Sequence, residues 1–498
     1  MNKLKVSLVF SSDIGKLKAD IDKAIPEIQK TISEKQKSFR ISADTIKKNE
    51  LFLNIESEGF THTFIPRIKN LMMPNISKHK IGIRSYRLID YILEIDLEKK
   101  PKEEFSIPFT KKTEFKGKKV ILTFGESFDT TQIDTGVIER IAALAKDKAA
   151  AQDYEGKAEY NSILWTSKEK KLAYKDDPTE DMIKRKWVIQ GPGQGQWFHT
   201  PNSTALFKAM ETIAVEKILK PLGFKEVIAP KVVPFEVWEK TGHLSGSEPE
   251  MYFVSLPKSR DIKDWEDVID HYKITKKAPI DKIKKMLKDP MGGLCYAQCP
   301  TIYNAFSGKT IAKESLPVLV FDRSGVSNRN EAGGRHGIER VNEFHRIEPV
   351  FIGTLEQVED IKKKLMETYK DIFENILELE WRYSDVVPFY MQQAGGFGAD
   401  KQDAKNWKGT IDFEGYLPYR GTRKDSEWLE FQNLSVVGDK YTKAFSIKGQ
   451  GVELWSGCTG IGLERWVATF LAQHGLDKKN WPKGFLKFFK DVEEIKFL

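Results

Sequence analysis

Cysteine is scarce. Only Cys295, Cys299 and Cys458 occur in 498 residues, too few and odd in number for a disulfide framework, so a reducing compartment is expected, with thiols buried, metal-bound or catalytic. Long apolar runs are missing too. None approaches the ~18 to 20 residues of a membrane span, and Met1-Asn2-Lys3-Leu4-Lys5-Val6 lacks the apolar stretch of a secretion signal. A cytoplasmic protein without a membrane partner is the expectation. There is no internal repeat or low-complexity tract, and the N-terminus carries no sustained heptad pattern, which argues against a solenoid and a long coiled-coil arm. Charge of one sign is also in modest excess, +8, which permits a nucleic-acid or phosphate-bearing partner without requiring one. What is present is an ordinary globular composition, 40% hydrophobic and 31% charged, in a chain long enough for two or three domains.

Periodicity divides the chain. Leu4, Val6, Leu8 and Phe10 alternate with more polar neighbours as in a strand, and Leu17, Ile21, Ala24, Ile28 and Ile32 follow at helical spacing, with Pro26 expected to break the helix or open a new first turn. Further strands are expected at Phe39 to Ile46, Leu51 to Ile55, Tyr91 to Leu97 and Lys119 to Phe124, with a hairpin turn over Lys47 to Glu50. An alanine-rich helix runs from Ile138 to Ala151. Residues 154–199 then lose periodicity and include "GPGQGQ" at Gly191 to Gln196. Beyond them, Leu206 to Ile218 reads as an apolar helical face stopped at Gly223, followed by a strand over Glu226 to Pro234 and two lysine-rich helices near residues 265–287. Thr354 and Gln357 form a capping box for a long amphipathic helix. The reading is an N-terminal mixed α/β domain over 1–165, a linker over 166–200, and a second domain over 201–498 with a helical insertion at about 255–290.

Charge concentrates in "SNRNEAGGRHGIERVNEFHRIEP", Ser327 to Pro349, which holds four arginines, four glutamates and two histidines. As strand, loop and strand it places Arg329 and Glu331 on one face, a cation for a phosphate beside a carboxylate for an amine. Phe344 and Glu348 share the parity of Arg340 and add an aromatic platform and a carboxylate. A solvated hairpin with cross-strand ion pairs is the plain alternative. Near the C-terminus, "SGCTGIGLERWVATFL", Ser456 to Leu471, puts Gly460 and Gly462 just before a helix carrying Glu464 and Arg465, where a nucleotide can approach the backbone. Together with the helix and strand ending at Pro230, these segments resemble the three ordered motifs of class II aminoacyl-tRNA synthetases. "RNEAG" and "RVNEF" are similar to the seryl branch.

Cysteine refines the resemblance. Cys299 precedes the charged hairpin, Glu348 closes it, and Cys458 adjoins the glycine turn. Two thiolates and a carboxylate suit Zn²⁺ with a fourth position open to substrate. Cys295 fits on spacing alone; the family pattern favours Cys299. The chain thus resembles the rare methanogen-type seryl-tRNA synthetases over nearly its full length, with a mixed α/β module in place of the coiled-coil arm. This implies an α+β protein: an antiparallel-sheet class II catalytic domain with an N-terminal tRNA-binding α/β domain. It implies ATP-dependent activation of L-serine to seryl-adenylate and transfer to tRNA(Ser) by a homodimer. One Zn²⁺ per chain on Cys299, Glu348 and Cys458 takes the serine amino group. ATP, with Mg²⁺, is assigned to Arg329, Glu331, Arg340, Phe344, Glu430 and Arg465, of which Arg329 and Arg465 are catalytic. Serine contacts fall to Asn433, Ser435 and Gln393. "SKHKIGIRSYR", Ser77 to Arg87, offers Arg84 and Arg87 to tRNA. Rival readings are an amino acid:carrier protein ligase, which would lack the N-terminal module, a non-enzymatic tRNA-binding relative, which would lose the arginines and glutamates, and a threonyl enzyme, whose histidine ligands are here Glu348 and Cys458.

Overall fold

A computed structural model describes residues 1–125, 127–151, 161–244, 247–331, 334–386 and 409–495. The chain divides into two units, Met1–Ala158 and Glu159–Leu498, each with its own apolar core.

The first unit is built on β1 (Asn2–Phe10), α1 (Lys18–Ser33), β2 (Arg40–Lys47), β3 (Glu50–Ser57), α2 (Ile65–Ile76), β4 (Ile83–Asp96), β5 (Thr110–Lys116), β6 (Lys119–Phe124), β7 (Phe128–Asp129), α3 (Thr130–Asp134) and α4 (Val137–Ala151). Its strands form one antiparallel sheet in the order β2-β3-β1-β4-β6-β5, with β7 against β4. The alternation along β1 does what it predicts: Leu4, Val6 and Leu8 are buried in one cluster with Ile21 and Ile28 of α1 and Ile68 and Met72 of α2. Pro26 does not break α1. A proline inside a helix costs ~3 kcal/mol, but Ile21, Ala24, Ile25, Ile28 and Ile32 are all buried, and tertiary burial of an apolar stripe outweighs propensity. The basic run Ser77 to Arg87 turns out to contain the start of β4.

The second unit holds an eight-stranded sheet whose neighbours, in order, are Lys225–Val227, Val318–Asp322, Arg346–Gly353, Trp455–Gly462, Leu429–Gly438, Gly409–Gly415, Trp381–Val386 and Asn161–Thr166. Only the first pair is parallel. Alternation along the central strands sorts the two faces. Ile347, Phe351 and Ile461 pack with Leu206, Leu365 and Phe470 of the helices Pro201–Ile213, Leu355–Asp371 and Leu463–His474. Val350, Ile352 and Cys458 turn to the other face, against Cys299, Tyr303 and Trp238. The capping box forms, with Thr354 Oγ1 accepting from the Gln357 amide and Gln357 Oε1 from the Thr354 amide.

Two sequence readings need correction here. Residues 161–166 are the edge strand of this sheet, and Met182, Trp187 and Val188 belong to its core, so the stretch read as the end of the first domain and a linker is part of the second unit. Its short elements, helix Pro178–Lys184 and strands Val188–Gln190 and Trp197–His199, are too brief for periodicity to register. The run Glu226 to Pro234 is two strands, Lys225–Val227 and Val232–Pro234, in different sheets. Pro230, which has no amide to give a ladder, lies between them.

Candidate active site

A cavity of about 320 Å³ lies on the sheet face away from the three helices, lined by Cys299, Arg329, Glu331, Phe344, Glu348, Glu430, Asn433, Ser435, Cys458 and Arg465 among others. Its floor is a cluster of three acidic donors. Glu348 comes from Arg346–Gly353, Cys458 from the adjacent Trp455–Gly462 with Val350 as its register partner, and Cys299 opens the helix Cys299–Ala305. Their donor atoms lie within 4.8 Å of one another, and all three residues are buried. The neighbouring Cys458 thiol, together with burial, pushes Cys299 well above the usual thiol range. Burial raises Glu348 against the opposing pull of Arg346. Glu348 Oε1 is buried with no hydrogen-bond partner. A buried, unpartnered carboxylate oxygen beside two thiols is what a cation would satisfy, and two sulfurs with one carboxylate suit zinc. Cys295 lies outside the cluster: it donates to the Ala297 carbonyl at 3.0 Å, and burial pushes its thiol up to about 12.

The same cavity is also lined by Arg329 and Arg465. Arg329 Nη2 is 2.6 Å from Glu250 Oε1, and its Nε is 3.8 Å from Glu331 Oε1. Arg465 donates from Nη1 to the Glu430 carbonyl at 2.8 Å, with Glu430 Oε2 at 3.4 Å and Glu331 Oε1 3.9 Å from its Nη2. Phe344 stands opposite Ser327 in a two-residue strand pair. Guanidinium groups, an aromatic ring and carboxylates thus meet within one cavity, as a nucleotide triphosphate with its metal requires.

Arg340 does not line this cavity. It pairs with Glu427 and lines a separate cleft with Arg335, His336 and the 190–197 loop. Counting alternate residues back from Phe344 fails because the strands flanking the loop are only Ser327–Asn328 and Glu343–Phe344, and the chain turns at a bridge between His336 and Arg340. Arg346 takes the place in the cavity that parity offered to Arg340. It lines the cavity, pairs with Glu348, and has the parity of Phe344 and Glu348, so that signal was available. Glu250, which holds Arg329, had none: "SEPEMY", Ser247 to Tyr252, shows neither spacing nor pattern that singles it out. Between Phe344 and Arg346 the strand breaks at His345, whose amide is held by both oxygens of Glu464, at 2.9 and 2.8 Å.

Comparison with known proteins follows the same division. Residues 2–147 match a family described as a tRNA-binding domain, and residues 293–474 one described as the tRNA synthetase class II core domain (G, H, P, S and T). The type-2 serine–tRNA ligase of Methanococcoides burtonii is 44% identical over 466 residues, 92% of this chain and 91% of the relative. The chain belongs to the type-2 serine–tRNA ligase family. The corresponding ligase of Methanocaldococcus jannaschii is 31% identical, covering 92% of this chain and 88% of the relative. A solved structure of M. kandleri SerRS in complex with A. aeolicus tRNASec is 26% identical and superposes with a TM-score of 0.78, covering 98% of this chain and 96% of that one. The protein is therefore a ligase of the aminoacyl-tRNA synthetase class, with a class II core and an N-terminal tRNA-binding domain.

In this ligase Asn433 and Ser435 line the cavity. Asn433 Oδ1 accepts from the Gly460 amide at 2.9 Å, and the hydroxyls of Ser435 and Thr410 are 2.8 Å apart. Gln393 lies outside the described residues. Arg84 and Arg87 are both exposed on β4, although their spacing puts them on opposite faces of a regular strand. A register shift opposite Val9 and Phe10 reconciles the two. Arg87 Nη2 is 3.0 Å from Glu50 Oε1, and Lys78 of the same basic run is held by Asp20 at 2.6 Å. Tyr86 is buried between them and turns its hydroxyl to Asp134. No helix among the described residues is long and apolar enough to cross a membrane.

Proposed function

We propose that this cavity activates L-serine with ATP and that one zinc ion per chain, held by Cys299, Glu348 and Cys458, gives the site its amino-acid selectivity. The observation that carries the reading is the buried cysteine, glutamate and cysteine cluster on the floor of the same cavity that holds Arg329 and Arg465. When bound there, zinc supplies a Lewis-acidic fourth position for the serine α-amino group. The protein's own groups do the rest. A serine carboxylate oxygen attacks the ATP α-phosphorus, the bond to the β-phosphate oxygen breaks, and pyrophosphate leaves. A terminal ribose hydroxyl of tRNA(Ser) then attacks the seryl carbonyl and AMP departs.

Arg329 meets the α-phosphate and Arg465 the γ-phosphate, so charge that develops on the phosphoryl oxygens faces fixed guanidinium groups rather than water. Phe344 underlies the adenine, Glu331 receives its amino group, and Glu430 at the mouth holds Mg²⁺ with the triphosphate. Asn433 and Ser435 border the serine side chain. Arg340, whose pair with the exposed Glu427 is open to solvent, is offered to the triphosphate from the loop before Phe344. Arg84 and Arg87 are offered to the tRNA backbone. The ligase is read as a cytoplasmic homodimer, and Ile228, 84% exposed just after the Lys225–Val227 strand, is an apolar side chain that a partner subunit would cover.

Metal analysis of cysteine variants tests the metal reading. Wild type is expected to hold one zinc per chain, Cys299→Ser and Cys458→Ser to lose it, and Cys295→Ser to keep it. Zinc retained in Cys299→Ser and lost in Cys295→Ser reassigns the ligands. A metal-free wild type that activates serine fully rejects the site.

A further inference from the structure

The zinc reading does not by itself account for Arg346, a charged residue of the cavity lining. Arg346 is directed onto Glu348, the carboxylate of the metal cluster, with its Nε bonded to Glu348 Oε2. The two residues alternate on one strand and so share a face. Because Oε2 is taken, Oε1 is the oxygen left without a partner, and it is buried on the carboxylate that lies within 4.8 Å of the two thiols.

The neighbouring strand is shaped to admit this guanidinium. Gly460 lies two residues beyond Cys458 on the same strand and face. A Cβ there would come 1.9 Å from Arg346 Nη2, 2.3 Å from Cζ and 2.7 Å from Nε. No side chain other than hydrogen at 460 leaves the arginine where it is. The φ at Gly460 is not in the left-handed region, so backbone conformation does not call for glycine; the space does. The arginine's main chain is tied to the third ligand as well, since Gln298, immediately before Cys299, donates from Nε2 to the Arg346 carbonyl at 3.3 Å.

Charge counting gives the arrangement a purpose. Two thiolates and a carboxylate carry three negative charges against two on a divalent cation. One more positive charge makes the cluster neutral, and a buried group of charges is tolerated when it is paired and hydrogen-bonded. Resting on the zinc reading above, we infer that Arg346 is a positioning residue for the metal: it fixes Glu348 as a one-oxygen ligand through Oε1 and neutralises the filled cluster, and Gly460 is the space it requires. Outer partners of this kind typically set metal affinity by 10- to 100-fold.

The test is metal binding to the full chain without ATP, serine or tRNA. Zinc affinity is measured by chelator competition, and Co²⁺ loading gives the sulfur-to-metal absorption bands. Relative to wild type, Arg346→Gln is expected to weaken zinc binding about 10- to 100-fold and to change the cobalt bands. Arg346→Lys keeps the charge without the planar fork and is expected to fall between. Gly460→Ala removes no charged group, yet displaces the guanidinium, and is expected to weaken binding in the same direction. If it acts through Arg346, the double variant Arg346→Gln with Gly460→Ala loses little beyond Arg346→Gln alone. Cys295→Ser controls for general disturbance of the core and is expected to bind as wild type.

Should Arg346→Gln fold poorly, Arg346→Lys and Gly460→Ala decide the matter. Zinc affinity within about twofold of wild type and unaltered cobalt bands in every variant that folds overturn the inference while leaving the zinc site standing. A wild type that takes up no stoichiometric metal overturns the zinc reading and this inference with it.

Discussion

Replacing Arg329 with alanine separates chemistry from stability. Its ion pair with Glu250 is partly open to solvent, with side chains 37% and 34% exposed, and an accessible pair of this kind contributes ~1 kcal/mol or less. For a unit of a few hundred residues that corresponds to a fall in Tm of about 2 to 4 °C. The proposed role at the α-phosphate is worth far more, because one preorganised donor facing developing charge is typically worth ~3 to 4 kcal/mol, roughly a hundred- to a thousandfold in rate. Arg329→Ala is therefore expected to lower serine-dependent ATP/pyrophosphate exchange by that factor while its melting curve moves only a few degrees. Arg329→Lys, with charge but no planar fork, should be intermediate. Exchange within tenfold of wild type, or a Tm collapse that accounts for the lost activity, refutes the phosphate role and makes Arg329 a structural partner of Glu250.

Other consequences are independent of that one. Gly457 is closed in by the Phe351 ring at 2.3 Å and by the Ser435 carbonyl oxygen at 2.6 Å from a would-be Cβ, so Gly457→Val should cost about 3 kcal/mol or more by urea unfolding; an unchanged midpoint contradicts this packing. The hydrogen bond that His336 Nδ1 donates to Glu339 holds His336 above its ordinary value of 6.5, so the pair stabilises fully below that value and fades as pH rises through the higher folded value. His336→Gln should thus lower Tm at about pH 6 and much less at about pH 9, whereas an equal loss at both dismisses the charge pair. Arg84→Ala with Arg87→Ala should flatten the salt dependence of tRNA binding by about 0.9 per lost phosphate contact; an unchanged slope moves the RNA surface elsewhere.

Much of this architecture is legible in the sequence, for identifiable physical reasons. Residue type and motif order point to Glu348 and Cys458 with either Cys295 or Cys299, and it is the family resemblance that selects Cys299; the structure groups Cys299, Glu348 and Cys458. Arg346 shares the parity of Phe344 and Glu348 and so is legible in the sequence, whereas the parity that picks out Arg340 treats a charged hairpin as continuous strand. The actual strand ends at Asn328 and resumes at Glu343, and parity cannot be counted across a loop. Glu250 reaches Arg329 across the fold from an irregular segment, and no local pattern encodes such a contact. In the first unit, β1 and α1 were readable from their alternation and helical stripe. β5, "TKKTEFK", has a single large apolar residue, and α2, "IPRIKNLMMPNI", carries two prolines, so neither announced itself. Pro26 misled in the opposite direction, since burial on α1 exceeds what a local rule can weigh.

The most direct measurement is amino-acid-dependent ATP/pyrophosphate exchange across all twenty amino acids, run on the zinc-loaded enzyme and on the same enzyme after chelation and zinc return. Exchange should be fastest with serine, fall away on chelation and recover with zinc. Preference for threonine or glycine, or serine-dependent exchange that persists undiminished without metal, contradicts the account.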